Sequence, residues 1–206
     1  MRAHASVPGL FLAEGVVPVP LELEVNEFMR GQDAHMFAVG AGANSRRVLQ
    51  YGYLYDYTSK RVLAHAPAMP PVIQRLCELA ATFPGLQRTD EDAVAALFNQ
   101  CIINRYLPGQ GLAAHTDNPA YGPNVMSFTF GSSRNMEFIR GSVKIEVTTP
   151  PGSAYLMTGA SRYVWRHAMR GRKKDGKIPR GTVYSVTLRH VHMSVSPQPA
   201  TNRHEH

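Results

Sequence analysis

A chain of 206 residues with 44% hydrophobic and 18% charged side chains can bury one core, which excludes both a disordered chain and a multidomain assembly. Seventeen glycines and fifteen prolines, spread along the whole length, disfavour a helical bundle. The formal charge of +7 is local: between residues 162 and 180, Arg162, Arg166, Arg170, Arg172, Lys173, Lys174, Lys177 and Arg180 face only Asp175, so the rest of the chain is neutral.

In chain order, residues 1–20 are expected to form a loosely packed lead-in. Their apolar stretch is broken by Gly9, Glu14, Gly15 and Pro18, so it matches neither a signal peptide nor a membrane span. A domain over residues 21–195 follows. Within it, Val72, Ile73, Leu76, Leu79, Ala80 and Phe83 predict an amphipathic helix over 70–83, ended by Pro84-Gly85. A shorter helix is expected over 91–97, capped by Thr89 or Asp90. Beyond residue 98 the chain breaks into β-rich runs at 98–106, 124–130, 135–139, 142–148, 153–157 and 183–191, separated by turn residues. Residues 196–206 are expected to be a tail. Cys77 and Cys101 do not form a disulfide framework, which suggests a reducing compartment. The pattern is α+β, mainly β: a sandwich or jelly roll with N-terminal helices on one sheet.

His115-Thr116-Asp117 follows a glycine-rich loop. In extended chain, residues i and i+2 point the same way, so an imidazole and a carboxylate can meet one metal ion. Alone the tripeptide also fits an ordinary hydrogen-bonded pair. Two histidines and a carboxylate are the donor set of non-haem Fe(II) centres that activate oxygen, and His167 is the distal candidate. Its alternative is a residue of the basic loop that contacts phosphate. The cationic strip itself fits a polyanion footprint or a solvated loop.

Four ordered motifs carry a resemblance: Asn104-Arg105-Tyr106-Leu107-Pro108-Gly109-Gln110-Gly111-Leu112; His115-x-Asp117; Met157-Thr158-Gly159-x-Ser161-Arg162-Tyr163-x-Trp165-x-His167; and Ser185-x-Thr187-x-Arg189. Together they resemble the AlkB family of Fe(II)- and 2-oxoglutarate-dependent dioxygenases, and within it the tRNA wobble-uridine hydroxylase branch, from about Arg47 to Val191. The resemblance implies a double-stranded β-helix. It also implies Fe(II), 2-oxoglutarate and O2 as cofactors, with His115, Asp117 and His167 as catalytic iron ligands. Asn104, Tyr106 and Arg189 would hold the cosubstrate, together with Ser185 on the strand face shared with Arg189.

Two positions depart from that family. Its first arginine, which grips the far carboxylate of 2-oxoglutarate, is replaced by Val183. Arg180 swinging in, Tyr106 with another donor, or a rebuilt pocket are the alternatives. Pro119 stands where the repair enzymes carry an acid, which disfavours direct dealkylation of adenine or cytosine. The expected activity is hydroxylation or oxidative demethylation of a modified nucleotide, in RNA or tRNA. Arg166, Arg170, Arg172, Lys173, Lys174 and Lys177 would bind the nucleic acid, and a partner protein could supply specificity. The alternatives are the same chemistry on a methylated protein side chain, or a nucleic-acid-binding module with impaired cosubstrate binding. No membrane association is expected, and the location is cytoplasmic or nuclear. The oligomeric state is left open.

Overall fold

The structure is a computed structural model that describes residues 1–63, 66–88 and 97–192. In chain order its elements are β1 (Arg2–Ala3), β2 (Leu10–Ala13), α1 (Val19–Gly31), β3 (Phe37–Val39), β4 (Arg46–Tyr51), β5 (Leu54–Asp56), β6 (Arg61–Leu63) and α2 (Pro71–Ala81). Then come β7 (Gln100–Tyr106), β8 (Leu112–His115), β9 (Tyr121–Gly131), β10 (Arg134–Arg140), β11 (Val143–Thr149), β12 (Ala154–Met157) and α3 (Gly159–Tyr163). The last four are β13 (Arg166–Met169), β14 (Lys174–Asp175), β15 (Ile178–Pro179) and β16 (Val183–Val191).

Eight strands form one sheet in the order β1-β2-β12-β9-β16-β7-β4-β3, and four form a second, β11-β10-β13-β8. Every pairing in both sheets is antiparallel. This is the mainly β, jelly-roll architecture expected from the strand pattern. The larger sheet is buried on both faces. On one face Met126, Phe128 and Phe130 of β9 and Val186 and Leu188 of β16 pack with Val25 and Met29 of α1 and Ile73 and Leu76 of α2. On the other, Val125 and Val183 meet Met136 and Phe138 of β10 in a core between the sheets. Each fully buried Leu, Ile or Phe contributes about 2 kcal/mol, so both cores hold β9 and β16 rigid, and these strands carry the site.

Helix α2 follows its sequence periodicity, with Pro70 and Pro71 at its start and the Thr82 hydroxyl donating to the Leu79 carbonyl at its end (2.7 Å). The six expected strands are all present, with ends shifted by up to three residues. The expected helix at 91–97 and the tail at 196–206 lie wholly or mostly outside the described residues. One expectation is corrected: residues 1–20 are not a loose lead-in. Leu10–Ala13 pairs with Ala154–Met157 at the edge of the large sheet, and Val7 and Leu10 are fully buried in the inter-sheet core. A four-residue strand between Gly9 and Gly15 is too short a run for periodicity to reveal, and pairing with β12 is what fixes it. Gly52 turns the chain between β4 and β5 at φ +78°, and a Cβ there would lie 1.9 Å from the Asn99 carbonyl oxygen. That turn swings the β5–β6 hairpin over the mouth of the sandwich.

Candidate active site

β8 and β13 are neighbours in the small sheet, and their register places His167 directly opposite His115. The two rings lie 4.3 Å apart between centroids. Asp117, two residues past the end of β8, completes the cluster: one donor atom from each of the three lies within 4.8 Å of the others. His115 Nδ1 donates to the Ala113 carbonyl (2.9 Å), which fixes the tautomer and leaves Nε2 facing Asp117 Oδ1 at 3.9 Å. Burial and the neighbouring His115 push the His167 pKa down to about 3, so its imidazole is neutral at physiological pH. Burial raises the Asp117 carboxyl, but Arg189, His167, His115 and Arg162 outweigh it and hold the group well below the usual carboxylate range. Asp117 Oδ2 is buried and without a hydrogen-bond partner. An ionised oxygen left bare in a buried site, beside two imidazoles, fits a divalent metal ion. Two neutral nitrogens and one carboxylate suit Fe(II) with open positions.

Two arginines hold Asp117 in place, Arg189 through its carboxylate and Arg162 through its backbone carbonyl. Arg189, on the inward face of β16, donates from Nη2 to Asp117 Oδ1 at 2.9 Å and from Nη1 to Gln100 Oε1 at 3.5 Å, and its guanidinium lies 4.8 Å from the Tyr121 ring centre. Arg162, in α3, is 2% exposed and donates to the carbonyls of Asp117, Asn118, Tyr121 and Gly122. The sequence places Arg162 in a cationic strip. In the fold it is the clamp of the 117–122 loop.

Asp117, His115 and Arg189 separate two cavities. The outer cleft, about 630 Å³, is walled by Tyr55, Tyr57 and Tyr121, with Lys60 and Asn118 at its rim. Gln50 fixes this wall, donating to the Tyr55 carbonyl (3.0 Å) and accepting from its N–H (2.6 Å). Tyr51 belongs to the helix-side core, whereas Tyr55 and Tyr57 reach the cleft. The inner pocket is narrow and holds Asn104, Tyr106, Ser185 and Arg189, along with Thr187, Tyr155 and Arg134. Asn104 Oδ1 accepts from Arg46 Nε at 2.8 Å. Burial pushes the Tyr106 hydroxyl up to about 12, so it stays protonated.

Arg180 does not reach this pocket. Its guanidinium donates from Nε and Nη2 to the two carboxylate oxygens of Asp175 (2.5 and 2.9 Å) and from Nη1 to the Arg170 carbonyl. Arg134, which lies outside the four sequence motifs, does reach it. The signal for it was present, since Arg134 is in phase with Met136 and Phe138, the core-facing residues of β10.

The nucleic-acid candidates divide. Arg170 pairs with Glu137, and Arg172 with Glu146 (2.6 Å), Glu137 (3.4 Å) and Asp175 (3.5 Å). Arg166, Lys173, Lys174 and Lys177 are exposed and make no ion pair among the described residues.

The family described as the 2OG-Fe(II) oxygenase superfamily matches residues 20–201. The mouse protein named tRNA (carboxymethyluridine(34)-5-O)-methyltransferase ALKBH8 is 29% identical over 178 residues, covering 85% of this chain and 26% of the relative. The Escherichia coli protein named alpha-ketoglutarate-dependent dioxygenase AlkB is 34% identical over 89 residues, covering 42% of this chain and 38% of the relative. A mimivirus protein, L905, is 39% identical over 101 residues, covering 45% and 48%. The chain thus spans less than half the length of these three relatives. Among solved structures, that of OsALKBH1 superposes with a TM-score of 0.66 at 17% identity, over 89% of this chain and 97% of that one. A Pseudomonas putida prolyl-4-hydroxylase gives 0.59 at 13%, over 91% and 95%. With the three donors converged and the fold matched, this chain belongs to the 2OG-Fe(II) oxygenase superfamily as a dioxygenase homologous to the AlkB proteins.

Proposed function

We propose that the enzyme oxidises a modified nucleotide in RNA, with tRNA the first substrate to test. The observation that carries this reading is the outer cleft: Tyr55, Tyr57 and Tyr121 wall a space that opens onto the metal-ligand cluster, with Lys60 at its rim. An unstacked base is a flat aromatic ring on a charged backbone, and such walls receive it by stacking while the rim meets phosphate. The mouse relative's name, a tRNA methyltransferase acting at a wobble uridine, supports the same substrate class. Pro119 in place of an acid favours uridine over a base with an exocyclic amine. An RNA substrate implies a cytoplasmic or nuclear location; no described helix is long and apolar enough to cross a membrane.

When bound, Fe(II) with 2-oxoglutarate and O2 supplies the oxidation, coupling loss of CO2 from the 2-oxo acid to insertion of oxygen at a substrate C–H. His115, Asp117 and His167 would hold the metal, with Arg189 orienting the Asp117 carboxylate and Arg162 fixing the backbone that carries it. Because the Asn104 oxygen is taken by Arg46, its amide N–H groups are what it offers a cosubstrate oxygen, and the protonated Tyr106 hydroxyl offers a second donor.

The test is to incubate the protein with Fe(II), 2-oxoglutarate and air, with hypomodified and native tRNA pools and a trimethyl-lysine peptide in parallel. Nucleoside mass spectrometry is expected to show gain of one oxygen or loss of a methyl group in RNA. Turnover of the peptide with RNA untouched would transfer the activity to protein side chains. RNA binding without succinate formation would favour a binding module.

A further inference from the structure

Val183 stands where the family's distal arginine would be, and it is 2% exposed and packed among Tyr106, Met136 and Tyr155. No cation comes from that position. Another arrives from the opposite sheet. Arg134, the first residue of β10, is 2% exposed. Its Nε donates to Thr149 Oγ1 (3.3 Å), its Nη2 donates to Ser127 Oγ (3.1 Å), and its guanidinium lies 5.7 Å from the Tyr155 ring centre. None of these partners is acidic, and no carboxylate lies within ion-pair reach of it among the described residues. The other buried arginines are neutralised or capped: Arg189 by Asp117, Arg180 by Asp175, and Arg162 by four carbonyls. A buried, unpaired guanidinium is expensive. Its presence in a pocket implies an anion that the chain itself does not provide.

The position fixes which anion. Along the inward face of β16, Arg189 marks the metal end through its bond to Asp117, followed by Thr187, Ser185 and Val183 at steps of about 7 Å. Ser127 lies opposite Thr187 and shares hydrogen bonds with both Ser185 (3.1 Å) and Thr187 (3.3 Å). The Arg134 guanidinium therefore sits one to two steps from the metal end, in the same narrow pocket as the three ligands. A 2-oxo acid chelated at the metal places a carboxylate there if it has five carbons and a second acid group. The hairpin explains how the exchange is possible: Gly131, register partner of Val183, ends β9, and Arg134 begins β10 three residues later on the facing sheet.

We propose that Arg134, with the Ser127, Ser185 and Thr187 hydroxyls and Tyr106, binds the far carboxylate of 2-oxoglutarate, replacing from β10 the arginine that Val183 removes from β16. This rests on the family's cosubstrate and not on the RNA reading, so the two fail separately. The test is calorimetric titration of the anaerobic Mn(II)-loaded protein with 2-oxoglutarate and with pyruvate, which lacks the far carboxylate. Arg134→Gln is expected to weaken 2-oxoglutarate at least thirtyfold, about 2 kcal/mol, and to leave pyruvate within threefold. Arg134→Leu combined with Val183→Arg is expected to restore most of the loss. Equal weakening of both acids, or no weakening, would overturn the assignment. Where Arg134→Gln does not fold, a crystal structure of the unaltered Mn(II)–2-oxoglutarate complex decides: the far carboxylate within 3.2 Å of an Arg134 nitrogen, roughly hydrogen-bond distance, supports it, and any other cation there refutes it.

Discussion

Asp117 does two jobs that separate by mutation. Its bare Oδ2 is the oxygen proposed to meet the metal, and its Oδ1 neutralises Arg189 in a site where both are buried. Asp117→Ala therefore removes metal binding and strands a buried guanidinium, a loss of about 3–5 kcal/mol. The His115 side chain is 36% exposed and has no ion-pair partner of that kind, so His115→Ala is expected to abolish metal binding and turnover at a stability change of about 1 kcal/mol or less. Urea unfolding of the metal-free variants distinguishes the two, and equal destabilisation would mean that the Arg189 pair is not what Asp117 contributes. His167 adds a pH dependence. Its folded pKa of about 3 lies below the usual value near 6.5, so between those values the unfolded chain binds the extra proton. Its contribution is intact above about pH 6.5 and drains as pH falls toward 3. Denaturation midpoints of the metal-free protein are expected to fall across that window, and His167→Gln to flatten the fall.

At the scale of elements, alternation made β9 and β16 legible because each presents apolar or hydroxyl side chains to a core on both faces. It missed β13, where only four residues lie between a helix and a basic loop and Arg166 points outward while His167 points in. The candidate ligand pair was therefore legible as residue types, but the β8–β13 register that unites it was not, since it depends on β10 lying beside β13. The proposed distal cation was obscured in a similar way: Val183 stands on β16, while the pocket is lined from two sheets. The β5–β6 hairpin is short and weak as a sequence signal because its position comes from Gln50, a 4% exposed side chain in β4 that binds the Tyr55 backbone at both its N–H and its carbonyl. Gln50→Ala leaves two half-buried backbone groups of Tyr55 without their partner, about 1 kcal/mol. It is expected to raise KM for RNA roughly tenfold, about 1.4 kcal/mol, with 2-oxoglutarate affinity unchanged. A parallel loss of cosubstrate affinity would place the hairpin's role elsewhere.

For the whole molecule, a linear count of charge overstates the cationic surface. Arg162 and Arg180 are buried, and Arg170 and Arg172 are drawn onto Glu137, Glu146 and Asp175, two of which come from the neighbouring strands β10 and β11. Glu137 is itself 4% exposed, so it needs those cations for its own sake. What remains for a polyanion on this face is Arg166, Lys173, Lys174 and Lys177. Each phosphate neutralised on a single strand contributes about 0.7 to the slope of log affinity against log salt. Replacing these four by Gln is therefore expected to flatten the slope for RNA by up to about 3, with little change in stability. Replacing Arg170 and Arg172 is expected to do the reverse, lowering the melting temperature by leaving the buried Glu137 with Lys144 alone, at 3.8 Å, while shifting the slope by less than about 1. If the second pair flattens the slope as much as the four, the ion pairs open when RNA arrives and the whole strip acts as one surface.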